Sequence, residues 1–330
     1  RMKILLIRFS SIGDIVLTTP IIRCLKQQLP DAEIHYLTKK SFAGILQHNP
    51  YIDRLHLLDH SWEIVLHELK DHSFDYIIDL HHNLRSLRVK RALKGTPAFS
   101  FDKLNVKKWL LTALKINRLP NVHIVDRCFD TVKALGVVND GKGLDYFIPA
   151  SDEVQPKDIP AAHSFGYIGV VIGAALATKQ MPIAKLQELC TKIAYPIILL
   201  GGKEDIAAGE AIAAIDPIRI YNACGKFNLN ESADLVRKAK LIITHDTGLM
   251  HIAAALHKPI ISIWGNTVPA FGMTPYYGDH PAANQAFEVT NISCRPCSKI
   301  GHKKCPRGHF KCMQLQDTSL IAATAMRWLQ

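Results

Sequence analysis

Short runs of Ile, Val and Leu recur along the chain, and stretches with helical spacing separate them. Runs that are apolar on both faces are typical of parallel strands buried under helices. The predicted strands are 4–9, 34–37, 55–58, 76–79, 167–172, 197–200, 218–221, 241–244 and 260–264. The predicted helices include 15–29, 183–194, 232–240 and 249–256. Strand and helix alternate in two series, which predicts two doubly wound, Rossmann-like α/β domains.

A stretch rich in proline and polar residues, with no periodicity, separates the two series at 148–160. We place the domain boundary there, with an N-terminal domain over 1–155 and a C-terminal domain over 156–330. In an open α/β sheet, ligands bind beyond the carboxyl ends of the strands. Two facing domains of this kind would therefore bind their substrates in the cleft between them.

Composition narrows the class of protein. The chain has 330 residues, 48% hydrophobic and 21% charged, so it can bury a large core and is not a disordered tail. No apolar run approaches the roughly 20 residues of a membrane span. The sequence predicts a soluble, cytoplasmic protein.

The positive charge is concentrated in two segments. The formal net charge is +11. Residues 85–118 hold ten Lys or Arg and one acid, and residues 294–312 hold six and none. Such patches suit an anionic partner, whether nucleic acid, acidic lipid or phosphorylated sugar, although a solvated basic helix face is an equally simple interpretation.

Four of the eight cysteines are clustered near the end of the sequence. They are Cys294, Cys297, Cys305 and Cys312. In a cytosolic protein this spacing favours metal or redox chemistry over disulfides. Because only one Cys-x-x-Cys pair is present, structural zinc remains one possibility and paired thiols another.

The first strand runs into a turn of small residues with a carboxylate, Ser10, Ser11, Gly13 and Asp14. Small residues allow a ligand to approach the backbone closely, and Asp14 lies where a catalytic carboxylate would be useful. The alternative is that Asp14 only caps the following helix. Neither a Gly-x-Gly-x-x-Gly nor a P-loop motif is present, which removes the main support for a nicotinamide or P-loop nucleotide site.

In the second half, four loops at strand ends carry residues suited to a nucleotide sugar. Gly248 and the open N–H groups of the turn that includes Leu249 predict an anion site at a helix N-terminus, to which Thr247 adds a hydroxyl. Asp246 and His251 are candidate ribose or phosphate ligands, or else a cap and a structural histidine. The remaining candidates in these loops are Thr178, Lys179 and Glu204, of which Lys179 is placed to meet phosphate oxygens.

Taken in order, segments 4–14, 79–86, 179, 225–226, 246–251 and 265–267 resemble glycosyltransferase family 9, the ADP-heptose:lipopolysaccharide heptosyltransferases. The resemblance implies a glycosyltransferase B fold, with an acceptor domain followed by a sugar-nucleotide domain. It also implies inverting transfer from an ADP-sugar with no cofactor required for catalysis. Asp14 matches the family's general base. Lys179 and the N–H groups after Thr247 would stabilise the leaving diphosphate, and Glu204 and Asp246 would contact the donor.

The resemblance also implies an anionic glycolipid acceptor and peripheral contact with the cytoplasmic face of the inner membrane. The matched acceptor residues are Ser10, Ser11, Gly13, His81, Asn83, Arg85, Arg88 and Lys107. Several cations would hold carboxylate and phosphate groups, and the helix around Trp109 to Leu111 would touch the bilayer surface. The cysteine segment is interpreted as a local staple without a catalytic role.

Two other hypotheses stay open at this point. One is a different two-domain sugar-nucleotide enzyme, either another glycosyltransferase or an epimerase. The other is a basic nucleic-acid-binding protein that uses the cysteines as a zinc module, although no recognition motif supports it and no nucleic-acid partner is expected.

Overall fold

The computed structural model describes residues 1–330, which form two compact units. The first unit comprises Arg1–Leu104, Val122–Phe147 and Tyr276–His280. The second comprises Asn105–Asn121, Ile148–Pro275 and Pro281–Gln330. The chain therefore passes to the second unit after Phe147, and one short segment of each half belongs to the other unit.

Every strand of the chain belongs to one of two parallel sheets. In the first unit the strands are β1 (Lys3–Ile7), β2 (Glu33–Lys39), β3 (Arg54–Leu58), β4 (Tyr76–Asp79) and β5 (Ala98–Ser100). In the second they are β6 (Ile168–Val171), β7 (Ile197–Leu200), β8 (Ile220–Asn222), β9 (Leu241–His245), β10 (Ile260–Trp264) and β11 (Asn284–Glu288). The sheet orders are β3-β2-β1-β4-β5 and β11-β10-β9-β6-β7-β8.

The helices are short and connect the strands. They are α1 (Ile12–Val16), α2 (Thr19–Gln28), α3 (Ala43–Leu46), α4 (Trp62–Lys70), α5 (Leu84–Ala92), α6 (Asn105–Leu114), α7 (Ile124–Cys128), α8 (Ile183–Thr191), α9 (Ile206–Ala213), α10 (Leu229–Lys238), α11 (Gly248–Ala255), α12 (Lys311–Gln314) and α13 (Thr318–Trp328). None of them combines the length and the apolar character that a membrane crossing requires.

The nine predicted strands all form, with small shifts at their ends, and most of their side chains are buried. The prediction missed two strands, β5 and β11, which lie at the edges of the sheets. In β11 only Phe287 is buried, so the strand has no apolar pattern to detect. It is placed by its parallel register with β10.

The single helix predicted over 15–29 is wrong, since the structure has two helices there. Thr18 and Thr19 turn their hydroxyls back to the carbonyl oxygens of Ile15 and Val16, at 2.7 Å each. Such bonds compete with the helical ladder. Pro20, in the first turn of α2, also lacks the N–H needed to continue a helix.

Each sheet has a point where the chain reverses its direction of growth. In the first sheet β2 and β3 add on one side of β1, and β4 and β5 add on the other. In the second sheet the reversal lies between β6 and β9. Loops that leave two such neighbouring strands diverge and open a crevice at the carboxyl ends.

A buried arginine fastens residues 139–145 to the first unit. Arg23 on α2 is 3% exposed, and it forms ion pairs with Asp140 at 2.8 Å and with Asp145 at 2.7 Å. Its guanidinium also donates to the carbonyl oxygen of Gly143 at 2.9 Å. These contacts explain why a segment so far along the chain belongs to this unit.

We expect Arg23→Gln to lower the free energy of unfolding by about 3–5 kcal/mol, because it leaves two partly buried carboxylates without their cation. Urea unfolding monitored by circular dichroism measures this change. Lys26→Gln is the matched control, since Lys26 lies on the same helix and pairs with Asp53 at 2.8 Å in a more exposed position. That variant should lose about 1 kcal/mol or less. Equal losses in the two variants would contradict the special role of Arg23.

Candidate active site

Asp14 lies at the start of α1, directly beyond the carboxyl end of β1. Its Oδ2 accepts hydrogen bonds from the Ser11 hydroxyl at 2.8 Å and from the Ser11 backbone N–H at 3.2 Å. This is the geometry of a capping box, so the predicted capping role exists. The side chain is 23% exposed, so solutes can reach the carboxylate, which also suits a base.

Arg8 connects the two loops of the first crevice. Its Nη2 lies 3.1 Å from Asp14 Oδ2, and its Nε donates to the Ser10 carbonyl oxygen at 2.7 Å. Its Nη1 donates to the carbonyl oxygen of Leu80, beyond β4, at 3.0 Å. A single guanidinium therefore fixes the Asp14 loop against the next loop. The sequence analysis did not single out Arg8, although it lies in the first matched segment.

Asp79, the last residue of β4, organises the second loop of this crevice. Its side chain is fully buried, and its Oδ1 accepts from the backbone N–H groups of His81 at 3.1 Å and His82 at 2.7 Å. Its Oδ2 pairs with Lys90 at 2.8 Å. Burial by itself would raise the pKa of Asp79, but Lys90 and the N–H donors outweigh it and hold that pKa below its ordinary value.

His81 is held as a neutral ring. Its Nδ1 accepts the backbone N–H of Phe9 at 3.1 Å, which requires a lone pair on that nitrogen. Burial, helped by the charges of Arg8 and Lys103, lowers the pKa of His81 to about 4. Because the His81 imidazole is neutral, it adds no charge beside the Asp14 loop. It therefore suits contact with a neutral sugar hydroxyl better than contact with a second anion.

The other predicted acceptor residues of this unit fall into two groups. Asn83 caps α5, where its Oδ1 accepts the Ser86 N–H at 3.0 Å. Arg85 and Arg88 are exposed on that helix, and the Arg88 guanidinium lies 4.7 Å from the centre of the Trp62 ring. Gly13 is buried within the first turn of α1. Asn83 therefore has a structural duty, whereas the two arginines are available to an anion.

Lys107 belongs to the other unit. It is exposed on α6, which belongs to the second unit. Leu111 of this helix packs with Val268 and Phe271 of the second unit. The Lys115 ammonium, just after the helix, donates to the carbonyl oxygens of Cys294 at 3.0 Å and Pro296 at 2.6 Å. The first basic segment is thus divided between the two units.

In the second unit, Lys179 and Asp246 meet at the crevice between β6 and β9. Lys179 follows β6, Asp246 follows β9, and their charged atoms are 3.1 Å apart. Asp246 Oδ2 also accepts from the Thr267 hydroxyl, beyond β10, at 3.2 Å. Both members of the pair are about one-sixth exposed, at 17% and 16%. The predicted phosphate ligand is therefore held at a sheet edge by a neighbouring carboxylate.

The helix N-terminus predicted as an anion site begins beside this pair. Thr247 caps α11, and its hydroxyl accepts the Met250 N–H at 3.3 Å. The N–H groups of Gly248 and Leu249 lie in the first turn, where the helix dipole favours a negative charge. His251 is 2% exposed and belongs to the buried face of α11. Its role as a ligand of the donor stays a prediction.

Glu204 lies in a helical turn after β7, over Lys203–Asp205, with an exposed side chain. Its neighbour Asp205 is 7% exposed and accepts the Gly202 N–H at 2.9 Å. Burial raises the pKa of Asp205 above its ordinary value. Asp205 therefore shapes the loop, and Glu204 is the carboxylate that a ligand can reach.

Thr178 connects the Lys179 loop to the cysteine segment and is 3% exposed. Its backbone N–H and its hydroxyl both donate to the His302 carbonyl oxygen at 3.1 Å. The same hydroxyl accepts the His302 backbone N–H at 2.7 Å. These bonds give Thr178 a structural role, and its predicted contact with the donor stays a prediction beside that of Lys179.

The four clustered cysteines line one cavity of about 20 Å³ together with His309. All of them are free thiols in the structure, as are the other four cysteines. Burial, reinforced by the neighbouring sulfurs, raises the pKa of the Cys312 thiol to about 11. Four thiols are a ligand type that suits a structural zinc ion.

Arg295 fastens this segment to the loop after β10 and was missed by the sequence analysis. Its guanidinium donates to the carbonyl oxygens of Gly265 at 2.6 Å and Thr267 at 3.1 Å, and it pairs with Glu288 at 2.6 Å. Because Thr267 in turn contacts Asp246, the cysteine segment supports both loops that carry the Lys179–Asp246 pair. The pattern Cys-Arg-Pro-Cys gave a signal only for the cysteines.

Comparison with known proteins identifies the family. The family model for glycosyltransferase family 9 (heptosyltransferase) matches residues 63–309. Lipopolysaccharide heptosyltransferase 1 of Campylobacter coli is 27% identical over 295 residues, covering 81% of this chain and 84% of the relative.

Solved structures show the same fold. The family 9 glycosyltransferase of Veillonella parvula superposes with a TM-score of 0.76 at 22% identity, covering 99% of this chain and 97% of its own. Heptosyltransferase WaaC of Escherichia coli with ADP gives a TM-score of 0.70 at 19% identity, covering 99% and 100%. The predicted class, two Rossmann-like domains of glycosyltransferase B type, is confirmed. With a family model that spans most of its length, this chain belongs to glycosyltransferase family 9 and is a glycosyltransferase.

Proposed function

We propose that this protein transfers a heptose from an ADP-sugar to a lipopolysaccharide core or a similar anionic glycolipid, with inversion at the anomeric carbon. The observation that carries the proposal is the Lys179–Asp246 pair beside the N-terminus of α11. A cation and open N–H groups at a sheet's reversal point are what a nucleotide diphosphate needs. The Campylobacter coli relative is a lipopolysaccharide heptosyltransferase, and the Escherichia coli heptosyltransferase was solved with ADP.

In this proposal Asp14 is the general base. It takes the proton of the acceptor hydroxyl as that oxygen attacks the anomeric carbon, and the bond from that carbon to the diphosphate breaks. Arg8 and Ser11 hold one carboxylate oxygen, Oδ2, and so fix the orientation of the group. The neutral His81 lies in the adjoining loop. Its Nδ1 lone pair already accepts the Phe9 N–H, so His81 does not compete with Asp14 for the proton.

Lys179 and the N–H groups at the start of α11 stabilise the charge that grows on the leaving diphosphate. For this, Lys179 turns from Asp246 to the phosphate oxygens. Asp246 then holds the lysine in range and faces the donor sugar, and Glu204 faces the ribose. Preorganised donors of this kind cost no reorganisation during reaction, and they make a catalytic metal unnecessary in this scheme.

We propose that the cysteine segment is a structural staple, with zinc as the ion that its donor set fits. Cys294, Cys297, Cys305 and Cys312 would hold it, because all four line one cavity and four thiolates are the ligand set of a closed structural zinc site. The ion would fold the loop and would take no part in transfer. Through Arg295 it would support the donor loops.

We also propose that α6 is the surface that meets the inner membrane. Val106 is 72% exposed and Trp109 57% exposed, and Lys107 lies between them on the same turn. An exposed tryptophan beside lysine is suited to the interface of an anionic bilayer. Leu111, which we expected to share this contact, is 8% exposed and packs inward.

Replacing the base tests the first part of the mechanism. Asp14→Asn should lower kcat for heptose transfer by about 10²–10⁴-fold, which is the usual contribution of a general base. Transfer from ADP-heptose to heptose-deficient lipopolysaccharide, followed by mass spectrometry of the product, measures it. ADP affinity, measured by calorimetry, should be unchanged.

Ser61→Ala is the matched control, because it removes the cap of α4, where the Ser61 hydroxyl accepts the Ile64 N–H at 3.3 Å, and leaves the Asp14 loop intact. It should lose about 1 kcal/mol of stability and keep its turnover. If Asp14→Asn transferred heptose as fast as Ser61→Ala, Asp14 would be a cap and not a base.

Replacing the lysine tests the donor site. Lys179→Ala should weaken ADP binding about 10-fold or more, because a charge-assisted contact to phosphate is lost. Lys185→Ala is the matched control, since Lys185 pairs with Glu188 at 3.1 Å on the neighbouring helix α8. Calorimetric titration with ADP should find that variant unchanged.

The double variant Lys179→Ala/Asp246→Asn separates two causes of the loss. If the cation itself binds phosphate, the double variant stays weak. Recovery of ADP affinity in the double variant would instead show that unpaired Asp246 merely repels the diphosphate, and it would count against the role given to Lys179.

Replacing the apolar side chains of α6 tests the membrane contact. Val106→Ser/Trp109→Ser should reduce co-sedimentation with vesicles that contain anionic phospholipid, because burial of these side chains in the interface contributes about 25 cal/mol per Å². Ile64→Ser is the control, since Ile64 is 71% exposed on α4. Equal sedimentation of both variants and of the unsubstituted protein would exclude α6 as the contact.

A further inference from the structure

Three histidines of the first unit come together away from the loops of the candidate active site. His35 is the third residue of β2, His56 is the third residue of β3, and His72 follows α4. His35 is paired in register with Arg54, and His56 with Leu37, so the two histidines lie diagonally on one face of the sheet. They lie on the side of the strands' amino ends, whereas Asp14 lies beyond the carboxyl end of β1.

The two strand histidines form the middle of a linear chain of polar contacts. His35 Nδ1 lies 2.7 Å from His56 Nε2. On the outer side, His35 Nε2 lies 2.7 Å from Glu33 Oε1, and His56 Nδ1 lies 2.6 Å from Glu68 Oε1. Both rings are fully buried. Each imidazole therefore has a carboxylate on its outer nitrogen and the other imidazole on its inner nitrogen.

Counting protons shows that this chain of contacts is incomplete. Three close contacts need three protons, and an ionised carboxylate supplies none. Two neutral imidazoles supply two. If both outer N–H groups donate to the carboxylates, His35 Nδ1 and His56 Nε2 face each other as two lone pairs. A cation, either a proton or a metal ion, can then lie between them.

The third histidine distinguishes a metal ion from a proton. The candidate ligand atoms of His35, His56 and His72 all lie within 4.8 Å of one another. A proton shared by two rings has no use for a third imidazole, whereas three imidazoles are a common ligand set for zinc. Carboxylates on the outer nitrogens are also the usual second layer of such sites, where they fix the tautomer and raise ligand basicity.

We propose that His35 Nδ1, His56 Nε2 and His72 bind a divalent transition-metal ion of the zinc class. With metal–nitrogen bonds of about 2.0–2.1 Å, the two inner nitrogens must separate by about 0.6 Å from their present positions. His72 Nε2 now accepts from Arg54 at 3.2 Å. Arg54 is exposed, and the ion displaces its guanidinium from that nitrogen. The ion would join β2, β3 and the segment after α4, and a set of three histidines leaves a fourth position to water.

The test measures zinc affinity of the full chain, stripped of metal and titrated against a chromogenic chelator. We expect His72→Ala to abolish one equivalent of tight binding, and Glu68→Gln to weaken that equivalent by about 10–100-fold. Arg54→Met should strengthen it, because a competing cation is removed. These three positions are partly or largely exposed, so the variants should fold even if substitution of the buried His35 or His56 prevents folding.

His67→Gln is the matched control, since His67 is an exposed histidine on α4. Cobalt loading separates this site from the cysteine segment, because cobalt held by imidazoles lacks the charge-transfer absorption of a thiolate complex. Loss of only thiolate-type cobalt, or equal zinc stoichiometry and affinity in His72→Ala, Glu68→Gln and His67→Gln, would overturn the proposal. An Arg54→Met variant that binds zinc no more tightly would argue against His72 as the third ligand.

Discussion

The parallel hydrogen-bonded ladder constrains both halves of this molecule. It aligns the carboxyl ends of all strands at one edge of each sheet, so the loops that follow them must share that edge. Where the chain reverses its direction of growth, neighbouring loops diverge. The first sheet places Asp14 and His81 on either side of such a point, and the second places Lys179 and Asp246 there. The topology of each sheet therefore determines where the chemistry assigned to this chain can take place, whichever side chains the loops carry.

Loops at such an edge have polar groups that must be satisfied, and the side chains that meet that need are those to which we assign the chemistry. Asp14 is the carboxylate of a capping box, and Thr247 is the N-cap of α11. Arg8 joins two loops by donating hydrogen bonds to a carbonyl oxygen of each, and its remaining nitrogen, Nη2, pairs with Asp14. A helix cap contributes about 1 kcal/mol. A fall in kcat by several orders of magnitude on replacement of Asp14 would therefore be larger than the lost cap alone can explain.

The sequence predicted those features that depend on local pattern. Nine strands were found from their apolar runs, and β5 and β11 were missed because β5 has no buried side chain and β11 has only one. Site residues at strand ends were predicted for the same topological reason. Arg8 and Arg295 were missed because each acts on a loop that is distant in sequence, 72 residues away for the Arg8–Leu80 bond. Nothing in a local pattern encodes such a partner.

The division of the first basic segment has a physical cause. Residues 85–118 looked continuous because charge was counted along the chain, but α6 is held to the second unit by Leu111 and by the Lys115 ammonium. The carbonyl oxygens that bind Lys115 belong to the cysteine segment, whose Arg295 also binds the loop after β10. One segment thus supports both the exposed face of α6 and the loops around Lys179. Any ion that orders the cysteines would therefore stabilise the donor site and the basic helix together, without contacting either substrate.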